Sequence, residues 1–336
     1  MKYLITGITG FLGPHLANKL VDEGHEVYGL IRANNGREHD IRDVVPDGVF
    51  AELKFLYSDL CNYRMLDKIF KENKFDGVFH LAAQTHPPTS FTDMIGTWEW
   101  NVSGTINLMT AITDNQPNCK FVFCSTVEVY GNLGIDERKL KESDPLMPAN
   151  PYGASKAAID LFLQERIKNG GMNAVIVRPF CFTGPRRGAK FSISSDAIQI
   201  ARMMFGKQEK VLKIGNLDTV RAVTDVRDIA DAFHLIMVSE KTSGQIYNVC
   251  GGVPYKMRFY KDTLLQLSGL TDVVEEVDQK LWRPIDIQYQ DGDSTKIREE
   301  LGWVPKYTIE QTMKDLLFYW RKKVGDIPDL QPVNYL

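Results

Sequence analysis

Lys2-Tyr3-Leu4-Ile5-Thr6-Gly7-Ile8-Thr9-Gly10-Phe11-Leu12-Gly13 decides how the chain folds. Its first five residues read as a strand, and three glycines spaced three apart then open an amphipathic stretch from about Leu12 to Glu23. Such a strand-to-helix turn lets the backbone approach a pyrophosphate closely and aims amide groups at its negative charge. Gly7, Thr9, Gly10, Phe11, Leu12 and Gly13 are therefore candidate cofactor-binding residues. The triplet alone is compatible with a turn that holds no ligand, and its place in a first β-α-β unit is what gives it weight.

Working outward, β-branched runs alternate with amphipathic stretches. Glu26–Ile31, Phe55–Tyr57, Gly77–Leu81, Lys120–Ser125 and Asn173–Arg178 read as strands, with helices over about 96–113 and 151–168. That order predicts an α/β fold, a doubly wound parallel sheet of Rossmann type. Past Arg178 the rhythm breaks at Pro179, Gly184, Pro185 and Gly188. Residues of about 179–219 and 252–336 are expected to build a smaller C-terminal α/β substrate lobe. The dinucleotide-binding domain then comprises 1–178 plus about 220–251, where Gln245–Val249 returns as a strand.

The chain has 336 residues, and a quarter of them are charged with a net charge of only −3, which fits a globular protein of about two domains. A nucleic-acid surface would need a basic patch, so that class of partner is set aside. Charge or Gly/Pro interrupts every apolar run before about 18 residues, so no membrane span is expected, and the N-terminus does not read as a signal peptide. Five scattered cysteines without a Cys-x-x-Cys pair suit thiols in a reducing cytoplasm. His80 and His86 lack a third ligand at metal spacing; they read as pocket or loop residues, with no metal centre expected. Trp98 and Trp100, near a helix start, are expected in core or interface packing.

Strand two ends in Leu30-Ile31-Arg32, with Arg32 where NAD sites usually carry an acid. A carboxylate there would repel a ribose 2′-phosphate, whereas a guanidinium binds it through a charge-assisted fork. NADP is therefore expected in preference to NAD, with Arg37 assisting. Asp59 is placed either to accept from an adenine amino group or to cap the next helix.

Tyr152-Gly153-Ala154-Ser155-Lys156 puts a phenol and an ammonium on one helix face. A free phenol titrates near ~10 and is a poor base at neutral pH. A cation ~4 Å away at an effective dielectric of ~20 contributes on the order of 4 kcal/mol, about three pH units. Tyr152 is thus the candidate proton acceptor from a sugar hydroxyl, and Lys156 its tuner and a ribose ligand.

With these residues in view, the chain resembles the extended short-chain dehydrogenase/reductase family along nearly its whole length. The motifs are Thr6-Gly7-x-x-Gly10-x-x-Gly13, Asp59-Leu60, His80-Leu81-Ala82-Ala83-Gln84, Asn101-Val102-x-Gly104-Thr105, Tyr152-x-x-x-Lys156, Arg178-Pro179-Phe180, Tyr247-Asn248-Val249 and Arg283-Pro284. The resemblance implies a nucleotide-diphosphate-sugar substrate, cofactor contacts from Leu60, Leu81, Ala82 and Ala83, and a substrate contact from Gln84. It also implies a homodimer through a helical face, or a homotetramer through the loop after Arg32.

Ser125-Thr126-Val127-Glu128-Val129-Tyr130-Gly131 looks like the strand-five motif of sugar-nucleotide 4,6-dehydratases. On an extended strand, side chains two apart point the same way, so Thr126 and Glu128 would flank one sugar ring, with Ser125 assisting. A carboxylate there suits removal of a proton next to a ketone. Gly184-Pro185-Arg186-Arg187-Gly188 and Ile214–Arg221 are similar to GDP-mannose 4,6-dehydratases. Arg186, Arg187 and Arg221 are expected diphosphate ligands by charge, with Lys190 and Arg283 as further substrate contacts. Cys181 departs from that pattern, where Asn is usual. The implied reaction is 4,6-dehydration of GDP-mannose or a GDP-heptose; the alternatives are a GDP-4-keto-6-deoxy-sugar 4-reductase and a 4-dehydrogenase or epimerase.

Overall fold

The computed structural model describes residues 1–32, 37–282 and 285–326. The first half runs β1 (Lys2–Thr6), α1 (Leu12–Asp22), β2 (Glu26–Ile31), α2 (Asp47–Glu52), β3 (Lys54–Tyr57), α3 (Tyr63–Glu72) and β4 (Gly77–His80). It continues through α4 (Pro87–Thr92), α5 (Met94–Trp98), a π-helical turn (Glu99–Ser103), α6 (Gly104–Asn115), β5 (Lys120–Cys124), α7 (Pro151–Gly170) and β6 (Ala174–Pro179). The second half contributes β7 (Phe182–Thr183), α8 (Ser192–Met204), β8 (Val211–Ile214), β9 (Val220–Ala222), β10 (Thr224–Asp225), α9 (Val226–Val238) and β11 (Ile246–Val249). It ends with β12 (Pro254–Lys256), α10 (Met257–Ser268), β13 (Val274–Val277), β14 (Tyr289–Gln290), α11 (Thr295–Leu301) and α12 (Ile309–Asp326).

Seven parallel strands form one sheet in the order β3-β2-β1-β4-β5-β6-β11. The direction of winding reverses between β1 and β4, which opens a crevice at the strands' carboxyl ends where open α/β sheets bind ligands. Both faces are covered, so the central strands are buried throughout: Leu4, Ile5, Phe79, Val122 and Ile176 are inaccessible. One core packs Leu16, Leu20, Phe233 and Ile236 of α1 and α9 on one face. Leu66, Phe70, Leu108, Ile112 and Leu163 of α3, α6 and α7 cover the other.

The helix predicted over about 96–113 is broken: α5 and α6 are separated by the π turn, and α4 precedes them. The helix expected after Asp59 has no legible bounds in the sequence, because the narrow apolar stripe of α3, Leu66, Ile69 and Phe70, is set among Arg64, Lys68 and Lys71. The segment from about Val220 does not return to the main sheet at once: β9 pairs with β12 and β14, and the return comes through α9 and β11. A further core of Ile193, Ala197, Leu212, Leu264, Leu316 and Trp320 joins α8, β8, α10 and α12. Trp303 packs back onto the sheet's core, its indole donating to the Asp228 carbonyl at 3.0 Å.

Under the carboxyl end of the sheet lies a buried polar network. Asp160 of α7 accepts from Arg178 Nε and Nη2 at 2.9 and 2.7 Å and from Ser125 Oγ at 2.8 Å. Arg178 Nη1 donates to the Tyr130 hydroxyl at 2.8 Å and the Glu142 carbonyl at 3.0 Å, and Tyr130 donates to Asn248 Oδ1 at 2.7 Å. Removing one partner of a buried pair leaves the other charge uncompensated. Asp160→Ala is expected to lower the unfolding free energy by about 3–5 kcal/mol in urea denaturation; a loss under about 1 kcal/mol would show that the pair does not hold these elements together.

Candidate active site

The glycine turn is dictated by lack of space. Gly7 has φ +73°, and a Cβ on it would lie 2.7 Å from the Ala82 nitrogen; one on Gly13 would lie 2.5 Å from the Gly7 carbonyl oxygen. Leu81, Ala82 and Ala83, directly after β4, thereby stand against the turn, with Ala82 N donating to Thr6 Oγ1 at 3.2 Å. Helix α1 has no acidic residue in its first turn and no side-chain cap, which leaves its N-terminal amides to an anion. Arg32 is exposed at the end of β2, its guanidinium 5.7 Å from the Trp100 ring. Asp59 caps neither α3 nor a longer helix. Its Oδ1 accepts from Cys61 N at 2.8 Å, while Asn62 caps α3. Leu60 packs on Gly104, where a Cβ would come within 2.9 Å of its own.

The arginines expected at the substrate divide. Arg186, itself at φ +73°, turns back onto the glycine turn: Nε donates to Asp40 O and Nη2 to Thr9 O at 3.0 Å each, and Nη1 donates to Gly10 O. Two of the three nitrogens thus brace the cofactor turn and the third holds Asp40, so backbone carbonyls occupy the guanidinium expected at the diphosphate. The neighbouring Pro185 carbonyl accepts from His15 Nε2 at 3.0 Å; burial pushes that imidazole down to about 4. Arg187 remains in the cleft, its guanidinium 3.4 Å from the ring centre of Phe191, 4.8 Å from Phe11 and 5.4 Å from Phe182. Lys190 is exposed on the same loop. Arg221 also bonds to backbone: Nη1 donates to Val220 O at 2.8 Å and Nη2 to Ile287 O at 2.7 Å, so it ties β9 to the approach of β14. Arg283 lies outside the described residues.

Two further substrate contacts are turned inward. The Gln84 amide donates to Thr97 Oγ1 at 3.1 Å and accepts from His86 N at 2.5 Å, and Ser125 donates to Asp160. Thr126 and Glu128 do meet, though not by strand alternation, because β5 stops at Cys124. Thr126 caps a 3-10 turn, Val127–Tyr130, its hydroxyl accepting from Glu128 N at 3.3 Å. Glu128 is buried, and its Oε2 accepts from Asn150 Nδ2 at 2.7 Å.

Helix α7 begins against that turn. Asn150 Oδ1 accepts from Gly153 N at 2.7 Å, and a Cβ on Gly153 would lie 2.6 Å from the Glu128 carbonyl oxygen. Tyr152 N donates to Ser90 Oγ at 3.0 Å. Asn101, on the π turn, donates to Gln84 O and Ser155 Oγ at 3.0 Å each, and Ser155 donates to Tyr152 O at 2.7 Å. The structure therefore gathers Thr126, Glu128, Tyr152 and Lys156, and adds Ser90, Asn101, Asn150 and Ser155. The Asn150-Pro151 pair, a capping residue before a proline at the first helical position, is the sequence signal that could have found Asn150.

The electrostatics also differ from expectation. Burial raises the Tyr152 phenol, with Cys124 and Glu128 adding to the rise, while the Thr126 hydrogen bond and Arg187 oppose it. Burial pushes Lys156 down to about 8 against the pull of Cys124 and Asp160, and its ammonium lies 4.1 Å from the Phe123 ring centre. Desolvation thus outweighs the lysine-to-phenol attraction reckoned from spacing alone.

His80 is neither a pocket nor a loop residue. It sits buried on β4, Nδ1 at 2.7 Å from Thr6 Oγ1 and Nε2 at 2.8 Å from Thr105 Oγ1. His86 bonds Thr89 and meets the Phe191 ring edge-on at 5.6 Å. Trp98 and Trp100 are exposed, not core. Among the described residues no three His, Cys, Asp or Glu side chains cluster as metal ligands would. Burial, then Lys156, pushes His80 from 6.5 down to about 3. Between those values the unfolded chain binds a proton that the folded one refuses, so stability falls as pH drops through the window. His80→Gln should lose this dependence: from pH 7 to 4.5 the wild type should fall about 2–3 kcal/mol further than the variant in urea denaturation. Parallel declines would remove His80 from the account.

Against known proteins, the family model for GDP-mannose 4,6 dehydratase matches residues 4–316. The chain is 31% identical to a GDP-6-deoxy-D-mannose reductase of Pseudomonas aeruginosa, over 97% of this chain and 99% of that one. It is 28% identical to the human GDP-mannose 4,6 dehydratase, over 94% and 90% respectively. The solved structure of RMD from Pseudomonas aeruginosa complexed with NADPH superposes with a TM-score of 0.81 at 29% identity, covering 96% of this chain and 99% of that chain. A glycine turn without room for side chains, a Tyr-Lys pair on α7 and a whole-length match lead to one conclusion: the chain belongs to the GDP-mannose 4,6 dehydratase family.

Proposed function

We propose that the protein is a nucleotide-sugar 4,6-dehydratase that holds NADP and converts GDP-mannose, or a GDP-heptose, to its 4-keto-6-deoxy derivative. The observation that carries this reading is the buried Glu128 carboxylate beside the Tyr152 phenol. The glycine cradle, where a Cβ at Gly7 or Gly13 would strike backbone, fits the close approach of a pyrophosphate. Exposed Arg32, with no acid at the end of β2, suits a 2′-phosphate, and the Pseudomonas structure with NADPH agrees. Gly7–Gly13, Arg32, Leu81–Ala83 and Lys156 would hold the cofactor, which when bound supplies an acceptor and later a donor of hydride.

The chain's own groups handle the protons. Tyr152 takes the proton of the sugar's C4 hydroxyl while Thr126 holds that oxygen. The resulting ketone acidifies the neighbouring C5–H, and Glu128 removes it. Glu128 then returns a proton to the departing C6 hydroxyl, which leaves as water; with hydride taken up at C6 and the proton held by Tyr152 passed to C5, the sugar loses one water with no net redox change. Arg187 and Lys190 are the proposed diphosphate contacts, and the GDP link rests on the two named relatives. In this reading residues up to Pro179, with α9 and β11, hold the cofactor, and the α8–α10–α12 core backs the sugar nucleotide. The five free thiols suit a reducing, cytoplasmic setting, and no described helix is long and apolar enough to cross a membrane. Ile95 and Trp98 on α5 and Leu161 and Phe162 on the adjoining α7 are exposed, which supports a homodimer through this helical face. A second reading, a 4-keto-sugar reductase, is favoured by the Pseudomonas relative.

Purified protein mixed with GDP-mannose and no added cofactor should yield a product lighter by one water in mass spectrometry. Glu128→Gln should keep its bound cofactor and lose about 10²–10⁴-fold in water loss. Full turnover by that variant would refute the role of Glu128, and reduction of a 4-keto sugar only with added NADPH would establish the reductase instead. In light scattering, the double variant L161E/F162E should run at half the wild-type mass; an unchanged mass would remove this face as the interface.

A further inference from the structure

We infer that Asn150 is a positioning residue that sets the Glu128 carboxylate against the start of the helix bearing Tyr152; the inference rests on the dehydratase reading. Asn150 is buried, and its backbone is extended at φ −149°, ψ 161°. Its amide has one orientation. The Gly153 N–H can only donate, so the atom 2.7 Å from it is the oxygen, and the end facing Glu128 Oε2 at 2.7 Å is the NH2. One side chain thus caps α7 one residue beyond Tyr152 and holds the carboxylate with the other end. Gly153, pressed against the Glu128 carbonyl oxygen, prevents the helix start from sliding along the turn.

Capping alone does not account for asparagine. Aspartate and serine cap a helix equally well. An ionised aspartate, however, has no proton to give a neighbouring carboxylate, and a serine hydroxyl sits on a shorter side chain. Asparagine supplies a cap and a charge-assisted donor together. Glu128 acts on the Tyr152 phenol of α7, and Cys124 and Arg187 act on the same phenol. A carboxylate held in this way is aimed by the donor, which is the placement needed to take the C5 proton.

The decisive variant is Asn150→Asp, which keeps the cap and replaces the donor by a second carboxylate. Two carboxylates at hydrogen-bond distance share a proton. The acid limb of kcat for water loss should move up by about one pH unit or more, with melting temperature and bound cofactor close to wild type. Asn150→Ser, which keeps the cap without adding charge, should lower kcat roughly tenfold at unchanged KM. Carbon-13 carboxyl NMR of the intact protein, with the Glu128 signal identified by its absence in Glu128→Gln, reads the same effect without turnover: the signal should titrate at higher pH in Asn150→Asp. If the acid limb and the carboxyl titration stay at wild-type positions and only the melting temperature falls, Asn150 is a cap alone and the inference is overturned. If the wild type removes water from no GDP-sugar while the carboxyl titration still moves, the dehydratase reading fails and the positioning of Glu128 stands.

Discussion

The Asp160–Arg178 pair, buried and bidentate, is the interaction on which the placement of the reaction centre depends. Arg178 closes β6, Asp160 lies mid-way along α7, Ser125 follows β5, Tyr130 ends the turn bearing Glu128, and Asn248 belongs to β11. Four stretches distant in sequence are therefore joined by short, mostly charge-assisted bonds. Desolvating two charges is costly, and the cost is offset only where geometry and extra partners are complete, as they are here. Tyr152, Lys156 and Asp160 follow one another at four-residue spacing, so the stripe of α7 that faces the sheet is polar at its working end. Apolar Leu161 and Phe162 are left on the outside of the same helix, which is why α7 resembles neither an ordinary surface helix nor a buried one.

The parts of the fold that were legible are those where burial repeats with a simple period. β1 and β2 fall at their expected bounds because strands buried on both faces read as unbroken apolar runs, and the glycines of the turn announce backbone contact directly. The π turn at Glu99–Ser103 was not legible. It inserts one residue into an otherwise regular helix so that Asn101 reaches Gln84 and Ser155, and no change of composition marks it. The end of β5 was hidden for a similar reason. Val127, Val129 and Tyr130 have the character of a strand, yet they form a helical turn, because their apolar side chains fill a small core with Phe180 and Leu140.

Charge was legible and direction was not. Arg186 and Arg187 are neighbours of one type, and their sequence assigns both to the same anion. A left-handed backbone at Arg186 sends one guanidinium to the carbonyls of Thr9 and Gly10, while three phenylalanine rings keep the other in the cleft. Arg186 thereby links the loop leading to α8 with the cofactor turn, so the two halves of the cleft share a rigid joint. A positive φ at a non-glycine residue follows from tertiary packing, and spacing or composition cannot reveal it.

The electrostatic balance of α7 bears on how the centre works. In the protein itself burial keeps the phenol of Tyr152 protonated at neutral pH and makes the ammonium of Lys156 easier to neutralise. The spacing argument treated their attraction as the leading effect, but two groups on one buried stripe each carry a desolvation cost that grows with the same enclosure that strengthens their attraction. As the proposed proton acceptor, Tyr152 would need further positive charge in the cleft, and Arg187 already pulls the phenol down. A dehydratase and a reductase would share this whole arrangement. What would distinguish the first is a second proton-handling group, a carboxylate placed beside a phenol that burial raises. Here that placement is built from the backbone upward: a 3-10 turn lifts Glu128 out of the line of β5, and the start of α7 meets it with a donor.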